Sequence, residues 1–190
     1  MKKILAACFA LLTALTMLSG CNSSAPSPTP SASVAATPTP AAKTPTVDEI
    51  LSAIKQACGD GYLPNMPLDD ETLVAQFNLD LDWAEDIKGE MPAIGFHPDR
   101  VIVVKAKEGQ ADNVEKALND AKRFLIDESL QYPANSAKVN ATTVVRNGNY
   151  IALLLIGAPD DRMDATEEQR QAFAQEETKK AVDAFENCFK

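Results

Sequence analysis

Asn147-Gly148, set between two runs of strand-forming residues, constrains this chain more than any other feature. A two-residue reversal between antiparallel strands needs positive φ, and Asn-Gly supplies it with little strain. Upstream, Val139, Ala141, Thr143 and Val145 alternate with Asn140, Thr142, Val144 and Arg146, the period-2 pattern of a half-buried strand. Downstream, Tyr150 to Ile156 is almost wholly apolar and belongs inside. A two-stranded hairpin alone is at best marginal in water, so the rest of the chain must add a third strand and a cover of helices.

Val101-Ile102-Val103-Val104-Lys105-Ala106 supplies that strand, apolar on both faces and therefore covered twice. The clearest helix runs from Gln110 to Gln131, with Val114, Ala117, Leu118, Ala121, Phe124 and Leu125 on its apolar side. A right-handed crossover through it sets the Val139 strand parallel to the Val101 strand, with the Tyr150 strand antiparallel between them. Thr46-Val47-Asp48-Glu49 has the form of a capping box, opening a helix with Val47, Ile50, Leu51, Ile54 and Ala57 inward and Gly59 and Gly61 as its stop. Thr166 caps a last helix that buries Phe173, Ala174, Ala181, Phe185, Cys188 and Phe189. Asp69 to Glu90 reads as two short helices, the second around Leu81, Trp83, Ala84 and Ile87, followed by an extended Met91 to Phe96. The fold class is α+β, a small mixed or antiparallel sheet of three to four strands with helices packed on it, over residues 46–190.

The N-terminal part has another character. Lys2 and Lys3 precede an apolar run from Ile4 to Leu18, too short for a stable span, and Leu18-Ser19-Gly20-Cys21 has the layout of a lipoprotein processing site. Residues 1–20 are expected to leave as a signal, with Cys21 lipidated, and two acyl chains suffice for stable anchoring. Residues 22–45 hold Ser, Thr, Ala and Pro with single Asn, Val and Lys residues, which build no core. They read as a linker reaching about 75 Å as polyproline II or about 30 Å as a coil.

The formal net charge is −9, and Lys2 and Lys3 are the only charges in the first twenty residues, so the processed chain carries −11. That excludes nucleic acid as a partner and electrostatic adhesion to anionic lipid, which both need clustered Lys and Arg. The membrane is reached through lipid on Cys21. Of the four cysteines, Cys8 leaves with the signal and Cys21 carries lipid. Cys58 and Cys188 remain, a candidate disulfide in an exported domain or two buried thiols behaving as small hydrophobes.

The chemistry-bearing residues are few. His97 is the only histidine, in a turn beside Asp99. A hydrolase built on it would need Ser129, Ser136 or Cys58 brought near by the fold, and no Gly-x-Ser-x-Gly is present. The acids between Asp69 and Glu90 lack the glycine turn of a calcium loop and read as a solvated face. No phosphate loop and no CxxC is present, and no cofactor is expected. Tyr132 and Trp83 are contact candidates if exposed.

Tyr62-Leu63-Pro64-Asn65-Met66-Pro67-Leu68, Glu90-Met91-Pro92, Val104 to Gly109, Gln131-Tyr132-Pro133, Arg146 to Tyr150 and Gly157-Ala158-Pro159 together resemble the domain-of-unknown-function family DUF4358. The resemblance spans Val47 to Asp161 and implies an exported lipoprotein of a Gram-positive type, with no activity or site residue to carry over. The expectation is a membrane-anchored, extracytoplasmic binding or interaction module of the cell envelope. The alternative is an envelope hydrolase whose site is assembled only in the fold.

Overall fold

The computed structural model describes residues 44–94 and 96–190. The expected signal, Cys8, Cys21 and the linker as far as residue 43 lie outside them. Helix α1, Val47–Cys58, opens on the expected capping box: Thr46 Oγ1 accepts from the Glu49 N–H, and the Thr46 N–H donates to Glu49 Oε2. Its buried stripe is Val47, Ile50, Leu51, Ile54 and Cys58; Cys58, four residues after Ile54, takes the inward position expected of Ala57. Gly59 ends the helix at φ 50°.

The sheet has five strands, one or two more than expected, and every neighbouring pair is antiparallel. They are β1 (Met66–Pro67), β2 (Ala84–Met91), β3 (Arg100–Ala106), β4 (Thr143–Asn147) and β5 (Tyr150–Leu155), in the order β1-β2-β3-β5-β4. The expected arrangement of the last three holds, with β5 between β3 and β4. The added strands come from a stretch read otherwise. Residues 70–77 do form a helix, α2 (Asp70–Phe77), capped by Asp69 and stopped by Asn78 in the left-handed region. The second expected helix is only a 3-10 turn at Leu81–Trp83, and the chain then enters β2. One edge of β3 would otherwise leave its backbone N–H and C=O groups buried and unpaired, and β2 satisfies them from Glu90↔Val101 to Ala84↔Ala106. The expected extended segment after Met91 is a loop.

The first half of the expected Val139 strand is likewise helical. Helix α4, Ser136–Asn140, closes with the Thr142 hydroxyl on Val139 O at 2.6 Å, and β4 begins only at Thr143. The reversal is displaced by one residue. Asn147 pairs with Tyr150, leaving Gly148 and Asn149 as the central pair. Only Gly148 has positive φ, 58°, which matches a type II′ turn rather than I′.

Helices α3 (Ala111–Asp127) and α5 (Glu167–Asn187) complete the fold. On one face, Ile102, Val104, Ala106, Ile151, Leu153 and Leu155 pack under α2 and α3. On the other, Val101, Val103, Ala152, Leu154 and Ile156 pack under α1 and α5. β3 and β5 are thus covered twice, as their two-sided apolar pattern requires.

This topology gives the sheet two distinct poles, about 20 Å apart along β3. At one, β3 starts, β2 and β5 end, and α1 and α3 finish. At the other lie the hairpin turn and the entry of the described chain, where the Tyr150 hydroxyl donates to Pro45 O at 2.7 Å and the Tyr150 ring meets Phe189.

Candidate functional site

The pole at the start of β3 gathers the buried ionisable groups. Asp99 is fully buried in the turn before β3. Its Oδ1 lies 2.5 Å from the Lys138 ammonium on α4 and 3.3 Å from His97 Nδ1. Among the described residues neither carboxylate oxygen accepts a well-angled hydrogen bond, so Lys138 acts on it as a charge. Desolvation raises the Asp99 carboxyl above the ordinary range, and Lys138 opposes this. His97 Nδ1 accepts from the Asp99 N–H at 3.4 Å, which requires an uncharged ring at that nitrogen. Burial lowers the His97 pKa, with Lys138 and Arg100 adding to the effect against the pull of Asp99, so the imidazole is neutral at pH 7. Arg100 donates through one terminal nitrogen to His97 O at 3.1 Å and Pro98 O at 2.7 Å, holding the turn shut. One carboxylate therefore stands with two basic side chains, Lys138 and Arg100.

A second brace ties the Tyr62–Leu68 loop to this pole. The Tyr62 hydroxyl donates to Glu90 Oε2 at 2.8 Å, and Lys55 donates to Oε1 at 2.6 Å while lying 5.5 Å from the centre of the Tyr62 ring. Burial, then the Glu90 carboxylate, pushes the Tyr62 phenol well up. Behind it, Gly61 admits the backbone of Ala158, since a Cβ there would stand 2.7 Å from Ala158 N. The Ala158 N–H in turn donates to the buried Glu177 of α5.

Beside Arg100 opens a cavity of about 440 Å³ between the ends of α2 and α3, walled by Phe77, Phe124, Leu125, Ser129 and Gln131. Seven of the nine exposed large apolar side chains among the described residues belong to this pole: Leu63, Met66, Ile94, Phe96, Phe124, Leu130 and Tyr132. Phe96 is 80% and Ile94 71% exposed, so this is not the fringe of a core. Phe124 departs from the expectation of a buried face, because it sits in the last turn of α3 on the cavity wall. Tyr132 is exposed, as a contact role requires, and Trp83 is half-buried.

Among the described residues, none of the nucleophiles weighed with His97 is hydrogen-bonded to it. The Ser129 hydroxyl donates to Leu125 O at 2.5 Å and accepts from Gln131 Nε2 at 2.8 Å. Ser136 opens α4. Burial, reinforced by Glu177, pushes the Cys58 thiol up to about 11, which disfavours the reactive thiolate. No disulfide joins Cys58 to Cys188. Cys58 lies within electrostatic reach of Glu177 and Lys180, whereas Cys188 is eight residues further along α5, about 12 Å by helical rise. A disulfide needs Cα atoms within about 7 Å. Cys188 Sγ instead donates to Ala184 O. Among the described residues, no group of three or more His, Cys, Asp or Glu side chains is placed to hold a metal, and no helix is long and apolar enough to cross a membrane.

Sequence reasoning passed over Lys138, Arg100 and Glu177. The signal was a lysine inside Ala137-Lys138-Val139 and a glutamate on the inward stripe of α5, each a charge on a buried face and so in need of a partner.

Fold and site together define an α/β/α-layered domain with its ionic cluster, cavity and exposed apolar loops at one pole. The chain belongs to the DUF4358 family, a domain of unknown function, whose model matches residues 57–156. That segment holds all five strands with α2, α3 and α4, and includes Asp99, Arg100 and Lys138. No curated protein and no solved structure matches the chain.

Proposed function

We propose that this protein is a membrane-anchored extracytoplasmic lipoprotein that works by contact, as a binding module of the cell envelope. The observation that carries this reading is the separation of the two poles. The described chain enters beside Tyr150, while the exposed apolar loops and the cavity lie at the far end of β3. A domain tethered through residues 22–45 to lipid on Cys21 would then present a contact surface remote from its own point of attachment. Exposed aromatic and aliphatic side chains concentrated in one region are the composition of an interaction surface, whereas singly scattered ones need no explanation. The hydrolase reading draws no support from His97, whose Nδ1 faces Asp99 and its own turn.

Two measurements test the proposal. Cys21→Ser should abolish palmitate labelling and release the protein from washed membranes; retained label would overturn the anchoring. A photoreactive residue at position 96 should capture an envelope component in the producing cells, and the same residue at position 147 should not. Equal capture from both positions would overturn the contact pole.

A further inference from the structure

We propose that the Arg100 cavity binds a carboxylate carried on an apolar body next to an amide N–H, as at the C-terminus of a polypeptide ending in a large apolar residue. This deepens the contact role and rests on it. The guanidinium is fixed by its two bonds to His97 O and Pro98 O, which engage one terminal nitrogen. Its Nε and its other terminal nitrogen have no acceptor, and it forms no ion pair, among the described residues. That remaining edge is open to the cavity rather than sealed, and its paired N–H groups match the two oxygens of a carboxylate.

The charge count selects a monoanion. Asp99 and Lys138 neutralise each other, His97 is neutral, and Arg100 leaves one positive charge over, at a cavity that has no acidic residue in its lining although the chain has 27. A carboxylate cancels that charge, whereas a phosphate dianion would leave one negative charge uncompensated. Phe77, Leu125 and Phe124 give the cavity apolar walls, and its volume suits one large side chain with its carboxylate. Gln131 has its amide nitrogen engaged by Ser129. Its carbonyl oxygen, with no donor among the described residues, is placed to accept the N–H that precedes a terminal carboxylate.

The test is calorimetric titration of the full-length protein in detergent with four probes: N-acetyl-phenylalanine, its amide, acetyl-Ala-Ala-Phe as the acid, and that peptide as the amide. Both acids should bind, and both amides should bind at least roughly tenfold more weakly, the scale of one lost charge-assisted pair. A tighter tripeptide acid assigns the ligand to a chain terminus, and equal acids assign it to a free acylamino acid. Arg100→Lys keeps the charge and loses the fork, so acid binding should fall by about tenfold. Because Arg100 also holds its turn, Phe124→Glu is the second variant. It removes part of the apolar wall for every probe and adds a negative charge that only the acids feel, so it should weaken the acids several-fold more than the amides. Acids and amides binding alike, no acid binding at about 1 mM, or an unchanged acid-to-amide ratio in Phe124→Glu would each overturn the proposal. If position 96 still captures its envelope component, only the ligand assignment fails; if capture from position 96 is absent as well, the contact role fails with it.

Discussion

Lys138 Nζ stands 2.5 Å from Asp99 Oδ1 with both side chains buried, joining α4 to the turn that starts β3 across 39 residues of chain. Removing one member leaves an uncompensated charge in a desolvated place, which costs far more than the pair contributes when whole. Lys138→Met is therefore expected to lower stability by about 3–5 kcal/mol in chemical denaturation. The double variant Lys138→Met with Asp99→Leu should recover most of that loss. A double variant as unstable as the single one would show that the pair is not the cause.

The Tyr62–Glu90–Lys55 brace makes a smaller claim. Tyr62→Phe removes the donor but leaves Glu90 paired with Lys55, so the expected loss is about 1 kcal/mol. Faster proteolysis in the Leu63–Leu68 loop should accompany it. A loss above about 3 kcal/mol would mean that Glu90 depends on the phenol rather than the ammonium.

The His97 pKa is lowered from its ordinary 6.5 by burial. The unfolded chain therefore takes up a proton on His97 at a higher pH than the folded chain, and stability contributed by the neutral ring is present above 6.5 and lost as the pH falls below it. Asp99, raised above its ordinary 3.8, acts in the opposite sense: its protonation in the folded chain favours folding as the pH falls. Melting temperature should accordingly drop between neutrality and the weakly acidic range, and His97→Gln should flatten the drop. An unchanged profile in His97→Gln would contradict the neutral imidazole.

The two thiols should separate by rate. Half-exposed Cys188 is expected to alkylate in the native protein at pH 8, and buried Cys58, pushed up to about 11, only on unfolding. Mass spectrometry of protein taken without reductant should show two modifiable thiols. A bridged pair would require α1 or α5 to be displaced from its packing.

Much of this architecture is legible in residue order because the signals are local. The capping box at Thr46, the cap at Thr166, the left-handed stop at Gly59 and the two-sided apolar runs of β3 and β5 each depend on neighbours within a few positions. β2 escaped because its residues are mostly half-exposed on both faces and two of its three acids are matched across elements, Glu85 to Lys105 and Glu90 to Lys55. Nothing in Ala84–Met91 announces a strand; the open edge of β3 makes it one. The site escaped for the same reason. Asp99, Lys138 and Glu177 are single charges whose meaning lies in partners far along the chain. Phe124 follows the apolar stripe of α3, but α3 outruns the sheet that would cover it.

Which end of the domain does the work is read directly by paired photo-cross-linking in living cells. With a photoreactive residue placed singly at positions 96, 130 and 147 of the lipidated chain, the same adduct is expected from 96 and 130 and none from 147. Adducts confined to position 147, at the pole where the chain enters, would contradict it.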